Sequence, residues 1–193
     1  RVTASGEDTK AAGKAIKPVV KELKSRFGAD IYSTKAETTL EMAVADLLMA
    51  NDLTVTTAES CTGGLVSGTI VNTAGASDVL NEAYITYSNQ AKEKLLGVSH
   101  ETLEKYGAVS AQTAKEMAEG AAKAAGANMG LSTTGISGPG GGTKEKPVGL
   151  VYVGCSLNQK TETIECRFSG DRQENRRQAV ERVLSLAIEM LKS

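Results

Sequence analysis

An apolar, β-branched run, Leu53-Thr-Val-Thr-Thr57, leads through Ala58-Glu59-Ser60-Cys61-Thr62-Gly63-Gly64 into a helix-like run, Leu65-Val-Ser-Gly-Thr-Ile-Val71. This stretch constrains the chain most. A strand ends, turns sharply and starts a helix, which is the step from which α/β folds are built. Ser60 falls at the turn, with two glycines behind it. Its hydroxyl can therefore stand beside the free backbone N–H groups of a helix N-terminus. Such donors are what a developing oxyanion needs.

The same alternation continues along the chain. A helix is expected from Thr38, with Leu40, Met42, Val44, Leu47 and Leu48 on one broad face. Then come strand 53–58, helix 63–72, strand 83–88, helix 89–96, a short helix near 99–105 and helix 111–126. Ser110 is the expected N-cap of the last. Residues 128–134 read as a strand and 135–147 as a glycine loop. Gly149-Leu-Val-Tyr-Val-Gly-Cys155 and Thr161-Glu-Thr-Ile-Glu-Cys-Arg-Phe168 alternate about the polar turn Asn158-Gln-Lys160, which predicts a hairpin. Asp171 caps a final helix to Lys192, with Val180, Val183, Leu184, Ala187, Ile188 and Leu191 inward. Strands alternating with helices, plus one late hairpin, predict an α/β fold. The expected form is a three-layer α/β/α sandwich on a mostly parallel, mixed sheet.

Residues 1–35 read differently from residues 36–193. Arg1-Val-Thr-Ala-Ser5 suggests a short strand. Glu7 to Phe27 suggests an amphipathic helix, with Ala11, Ile16, Val19, Val20 and Leu23 at core spacing. Pro18 predicts a kink or two helical pieces. Phe27 to Tyr32 reads as a helix stop and a second short strand. A strand–helix–strand of this length is a poor independent domain.

Composition narrows the function. The net charge is −1, so there is no basic surplus to neutralise a phosphate backbone, and no nucleic-acid partner is expected. No apolar run approaches the ~20 residues that cross a bilayer, and no signal-peptide pattern is present. A cytoplasmic protein without a membrane partner is expected. The chain starts at Arg1 and reads as part of something longer. Its three cysteines, Cys61, Cys155 and Cys166, form no CxxC pair and match no zinc spacing, so reduced thiols are expected. With one histidine, a His-rich metal site is impossible. No metal and no cofactor are expected.

Ser60 is the leading nucleophile, although the same position suits a simple N-cap. A serine hydroxyl needs a base. His100, the only histidine, lies in Gly97-Val-Ser-His100 and reads as a surface residue at a helix start. Lys92 is the remaining candidate. Strand ends on one side of a parallel sheet converge, so the loop after strand 83–88 can reach the loop after strand 53–58. A lysine acts as base only when neutral, which requires desolvation or a nearby cation; otherwise Lys92 is a solvated helix lysine. Tyr87 could relay a proton or orient Lys92. Cys61 would compete only with a lowered pKa, and adjacent side chains usually point apart. Glu59 suits a structural role at least as well as a chemical one. Thr134-Gly135-Ile-Ser137-Gly138 opens a glycine loop whose N–H groups can approach an anion, or which is a flexible surface loop. It is neither a Walker A motif through Lys144 nor Rossmann-spaced. Arg172 and Arg176 are one helical turn apart and can face one ligand, though arginines in so polar a turn also read as solvated.

Four motifs stand in order: Ala58-Glu-Ser-Cys-Thr-Gly-Gly64, Tyr87-Ser-Asn-Gln-Ala-Lys92, Gly107-Ala-Val-Ser110 and Thr134-Gly-Ile-Ser-Gly-Pro-Gly-Gly-Gly142. They are accompanied by Lys146-Pro-Val-Gly-Leu-Val151 and Gly170-Asp-Arg172. Together they resemble the C-terminal domain of the CinA family, from about Thr38 to the end. Residues 1–35 resemble the tail of the KH-like module that precedes this domain in longer members, without a GXXG loop. The resemblance implies a nicotinamide-nucleotide amidase that hydrolyses the carboxamide of nicotinamide mononucleotide. It also implies that Ser60, Lys92 and Tyr87 are catalytic. Cys61, Thr62, Gly63, Gly64, Thr134, Gly135, Ser137, Gly138, Arg172 and Arg176 are the expected substrate-binding residues. Asn175 departs from the aliphatic residue common there in the family. A homo-oligomer, a dimer, is the expected assembly. Two other functions remain open: a nucleotide- or phosphate-sensing domain without catalysis, and a competence- or DNA-linked binding module.

Overall fold

The computed structural model describes residues 2–28 and 31–193. The chain divides into two compact units, residues 1–37 and 38–193. The first is built on α1 (Thr9–Phe27), capped by the Asp8 carboxylate on Ala11 N–H. Pro18 lies inside this one continuous helix, so the expected division into two helical pieces does not occur. None of its side chains is buried, so the expected core stripe is only half covered. Residues 2–5 form no strand, which corrects that expectation. Arg1 and part of the second expected strand lie outside the described residues.

The second unit carries α2 (Leu40–Ala50), β1 (Val55–Glu59), α3 (Leu65–Val71), α4 (Ala76–Val79), β2 (Leu80–Ile85), α5 (Asn89–Leu96), α6 (His100–Tyr106), α7 (Ala111–Ala125), β3 (Met129–Gly135), β4 (Leu150–Leu157), β5 (Lys160–Arg167) and α8 (Arg172–Lys192). The sheet order is β2-β1-β3-β4-β5. β1 pairs in parallel with β2 and β3, whereas β3–β4 and β4–β5 are antiparallel. Four strands therefore point one way and β4 alone is reversed. The sheet is mostly parallel in strand direction but evenly mixed in its pairings.

Helices cover both faces. On one side α2, α3 and α8 bury Leu48, Val66, Ile70, Val183 and Leu184 against Val55, Leu131, Val151 and Val153. Regularly spaced apolar residues on α8 produce this face. On the other side α5, α6 and α7 form a smaller cluster around Leu96, Leu103 and Met117. There α7 lies unusually close to the sheet. A Cβ on Gly130 would come within 2.0 Å of the Ala118 carbonyl oxygen, so only glycine permits the approach. Close packing fixes where α7 and the loop before it lie relative to the ends of β1 and β3.

Serine and aspartate caps start the helices, at Ser110 and Asp171 as the sequence predicts. Ser88, Ser99, Ser110 and Asp171 each accept a backbone N–H three residues ahead. β2 begins and ends three residues earlier than expected, and the short α4 before it is an addition. β2 is an edge strand with most of its residues exposed, so it carries little of the apolar alternation that locates a strand.

Candidate active site

β1 ends at Glu59, and Ser60 opens the turn. Ser60 N–H donates to the Thr133 carbonyl in β3 at 3.0 Å, and the Glu59 carbonyl accepts Thr86 N–H at 2.9 Å. The turn is thus pinned from both sides of β1. The buried Glu59 carboxylate organises the turn and the start of α3. It accepts Thr62 Oγ1 (2.7 Å), the N–H groups of Gly64 (2.8 Å), Val66 (3.0 Å) and Ser67 (2.8 Å), Ser67 Oγ (3.0 Å) and Thr57 Oγ1 (3.2 Å). These include orphan donors at the helix N-terminus, which a carboxylate satisfies well. Glu59 is therefore structural. Gly64 caps α3 at φ 99°, and a Cβ there would sit 3.2 Å from Ile85 Cδ1, so both backbone and space call for glycine.

Lys92 enters from the first turn of α5. It is 1% exposed. Its Nζ lies 2.8 Å from the Thr86 carbonyl, 3.4 Å from the Tyr87 carbonyl and 3.1 Å from Ser60 Oγ. No carboxylate pairs with it among the described residues. Burial lowers its pKa from 10.5 to about 8. A Cys61 thiolate would oppose that shift, but burial raises the Cys61 thiol to about 11, so near neutrality it supplies no charge. A neutral amine has two N–H donors and one lone pair. As the ammonium, Nζ donates to Ser60 Oγ as well as to the two carbonyls; as the neutral amine it keeps the carbonyls, and its lone pair can face the Ser60 proton. The same burial makes Cys61 a poor nucleophile.

Ser60, Cys61, Tyr87, Lys92, Thr134, Gly135, Ser137 and Arg172, together with Ala108 and Val109, line one cleft of about 210 Å³. The expected residues Thr62, Gly63, Gly64, Gly138 and Arg176 lie around it without lining it. The structure gives several of the expected residues other partners. Tyr87 is 65% exposed and its phenol accepts from Arg172 Nη2 at 3.4 Å; its carbonyl, not its hydroxyl, meets Lys92. Thr134 Oγ1 donates to the Ala108 carbonyl at 2.7 Å, so its hydroxyl proton serves the cleft wall. Arg172 Nη1 donates to the Gly138 carbonyl at 2.7 Å and holds the glycine loop. Arg176 does not line the cleft with Arg172. Its Nε donates to the Cys61 carbonyl at 3.1 Å and its Nη2 to the Thr62 carbonyl at 2.6 Å. Arg176 therefore takes up the acceptors of the turn while Glu59 takes up its donors. Among the described residues, the N–H groups of Cys61, Thr62 and Gly63 donate no hydrogen bond, which leaves three candidates for an oxyanion.

Asn175 is not among the expected site residues, yet it is fully buried and fully used. Its Nδ2 donates to the carbonyls of Ser137 (3.1 Å) and Gly170 (2.9 Å), and its Oδ1 accepts Gly170 N–H at 3.0 Å. The signal lies in its spacing: Asn175, Ala179 and Val183 recur every four residues on the buried stripe of α8. His100 pairs with Glu93 and Glu104 on the surface and takes no part in the cleft. A larger cavity of about 520 Å³ lies at the other end of the sheet, beside Asn128 and Ser156. It holds no activated nucleophile, so size alone does not mark the site. Among the described residues no His, Cys, Asp and Glu cluster suits a metal, and no helix is long and apolar enough to cross a membrane.

The model of the CinA C-terminal domain family matches residues 37–191. A competence-damage inducible protein of Clostridioides difficile (strain 630) is 52% identical over 191 residues, covering 96% of this chain and 46% of that protein. Another, from Clostridium acetobutylicum, is 50% identical over 184 residues, covering 95% of this chain and 44% of that one. The chain thus spans less than half the length of these relatives. Among solved structures, a CinA superfamily protein from Klebsiella pneumoniae superposes with a TM-score of 0.77 at 34% identity, covering 79% of this chain and 96% of that chain. A competence/damage inducible protein from Agrobacterium tumefaciens gives 0.74 at 39% identity, covering 83% and 100%.

Proposed function

The chain belongs to the CinA C-terminal domain family, and on that premise we propose that it is a nicotinamide-nucleotide amidase. It converts the carboxamide of nicotinamide mononucleotide to the acid and ammonia by a Ser–Lys mechanism. One observation carries this reading: a buried lysine without a carboxylate partner, 3.1 Å from the hydroxyl of a strand-end serine. Neutral Lys92 takes the Ser60 proton as Oγ attacks the amide carbon. The free N–H groups of Cys61 to Gly63 receive the oxyanion. Protonated Lys92 then passes its proton to the amide nitrogen, and ammonia leaves. Water, giving a proton to Lys92, cleaves the acyl-serine, and that proton returns to Ser60. The Tyr87 carbonyl holds the amine, and its ring stands at the cleft mouth. The cleft is smaller than the ~300–1,000 Å³ of typical ligand sites. It therefore takes the carboxamide ring and leaves the ribose phosphate outside, beside Arg172 and the glycine loop. The mechanism uses no metal or cofactor. On this reading the partner is a small molecule, and the protein works as a cytoplasmic homo-oligomer.

The test is ammonia release from nicotinamide mononucleotide by the wild type, Ser60→Ala and Lys92→Ala. Release by the wild type that both substitutions abolish, with folding intact, supports the amidase. A folded wild type that binds the nucleotide but releases nothing overturns it in favour of a sensing domain.

A further inference from the structure

Ser137 is buried in the cleft, and among the described residues its hydroxyl has no hydrogen-bond partner. It is 4% exposed, and its Oγ is left unsatisfied. The hydroxyl lies toward the Cys61 sulfur without reaching hydrogen-bond geometry, and a thiol is a weak acceptor in any case. Buried hydroxyls are normally paired, and an exception calls for an explanation, a functional role among them. The backbone beneath it is held still. Asn175 grips the Ser137 carbonyl, while Ile136 N–H donates to the Leu150 carbonyl at 2.8 Å. An orphan hydroxyl on a fixed backbone, in the same cleft as Ser60, is a preformed contact for the reacting group.

We propose that Ser137 Oγ accepts a hydrogen bond from the carboxamide –NH2 of the substrate and so selects amides; this rests on the amidase reading. With no protein partner on the hydroxyl, its lone pairs are left for the ligand. An amide nitrogen carries the donors that satisfy them. The carboxylate product has none, and it would turn a charged oxygen toward those lone pairs. The same contact therefore favours amide binding and acid release. A site built around such a contact discriminates through the cost of leaving its own polar group unpaired.

The experiment compares nicotinamide mononucleotide with the methyl ester of nicotinic acid mononucleotide, whose reacting group lacks an N–H. Wild type and Ser137→Ala are assayed on both, with thermal melts to confirm folding. The expected result is a rise of about tenfold in KM for the amide, from the loss of one hydrogen bond, with a clearly smaller loss on the ester. Inhibition by the acid product should strengthen relative to amide binding. Ser137→Cys should fail to rescue the preference, because sulfur accepts poorly. Equal losses on amide and ester would place Ser137 on the carbonyl oxygen and overturn the proposal. So would unchanged kinetics on both. A wild type inert toward both substrates is a different outcome: it overturns the amidase itself.

Discussion

Lys92 Nζ lies 3.1 Å from Ser60 Oγ although 32 positions separate the two residues. Parallel pairing of β1 with β2 makes the meeting possible: it carries the turn after β1 and the start of α5 after β2 to the same end of the sheet. Burial then does the chemical work, because it holds the amine near the pH at which it can act as a base.

Activity should rise with pH through about 8 as Lys92 loses its proton, and this limb should vanish in Lys92→Met along with the activity. A kcat/KM–pH profile reads it. The stability sign comes from linkage. The folded amine titrates near 8 and the unfolded one near 10.5, so the unfolded chain holds the extra proton between those values and stability rises with pH across the window. Below pH 8 the charged, desolvated amine costs on the order of 3 kcal/mol. Lys92→Met should therefore melt no lower than the wild type at pH 7, even after losing its bonds to Thr86 and Tyr87. Its relative gain should fade between pH 8 and 10.5.

Cys61→Ala should keep kcat within several-fold of the wild type, whereas Ser60→Ala should lose at least about 10³. The Cys61 thiol is buried and raised to about 11, so it is a bystander to the chemistry. Alkylation kinetics on the native protein at pH 7.5 give the independent check: Cys61 should react only on unfolding.

Arg176→Ala should lower kcat roughly 10² with little change in KM, because it releases the Cys61 and Thr62 carbonyls and lets the nucleophile turn drift. Arg176→Lys, which keeps the charge but loses the fork, should recover only part. Steady-state kinetics separate this from a phosphate-binding arginine, whose loss would raise KM instead.

Glu59→Ala should destabilise the domain by about 3 kcal/mol or more. Three backbone N–H groups and two hydroxyls of the adjoining turn and helix lose their acceptor, at about 1 kcal/mol or more for each buried donor left unpaired. Glu59→Gln keeps an acceptor oxygen and should lose less. Urea unfolding midpoints measure both.

Much of this fold is legible in order and type. The caps at Ser88, Ser99, Ser110 and Asp171 are local chemistry, since a side-chain oxygen and an N–H three residues on suffice to set them. The hairpin of β4 and β5 shows in its alternation, and its turn at Asn158 and Gln159 adopts positive φ. β2 is hard to place because most of it is exposed, and α4 because four residues are too few to show a period. The site is partly legible: Ser60, Lys92, Ser137 and Arg172 do line one cleft. Tyr87 and Thr134 line the same cleft, and what could not be read is that their hydroxyls, and the Arg176 guanidinium outside the cleft, also bond other parts of the protein.

Periodicity, caps and turns are relations between near neighbours, so the elements, their order and the residue types the chemistry requires can all be read along the chain. Which groups are free to act is settled by packing alone. Folding strips Lys92 of water and leaves Ser137 without a partner. It binds Arg176 to the turn and sets Asn175 beneath the glycine loop. Desolvation and hydrogen-bond satisfaction depend on atoms brought from distant parts of the chain, and no local pattern records them.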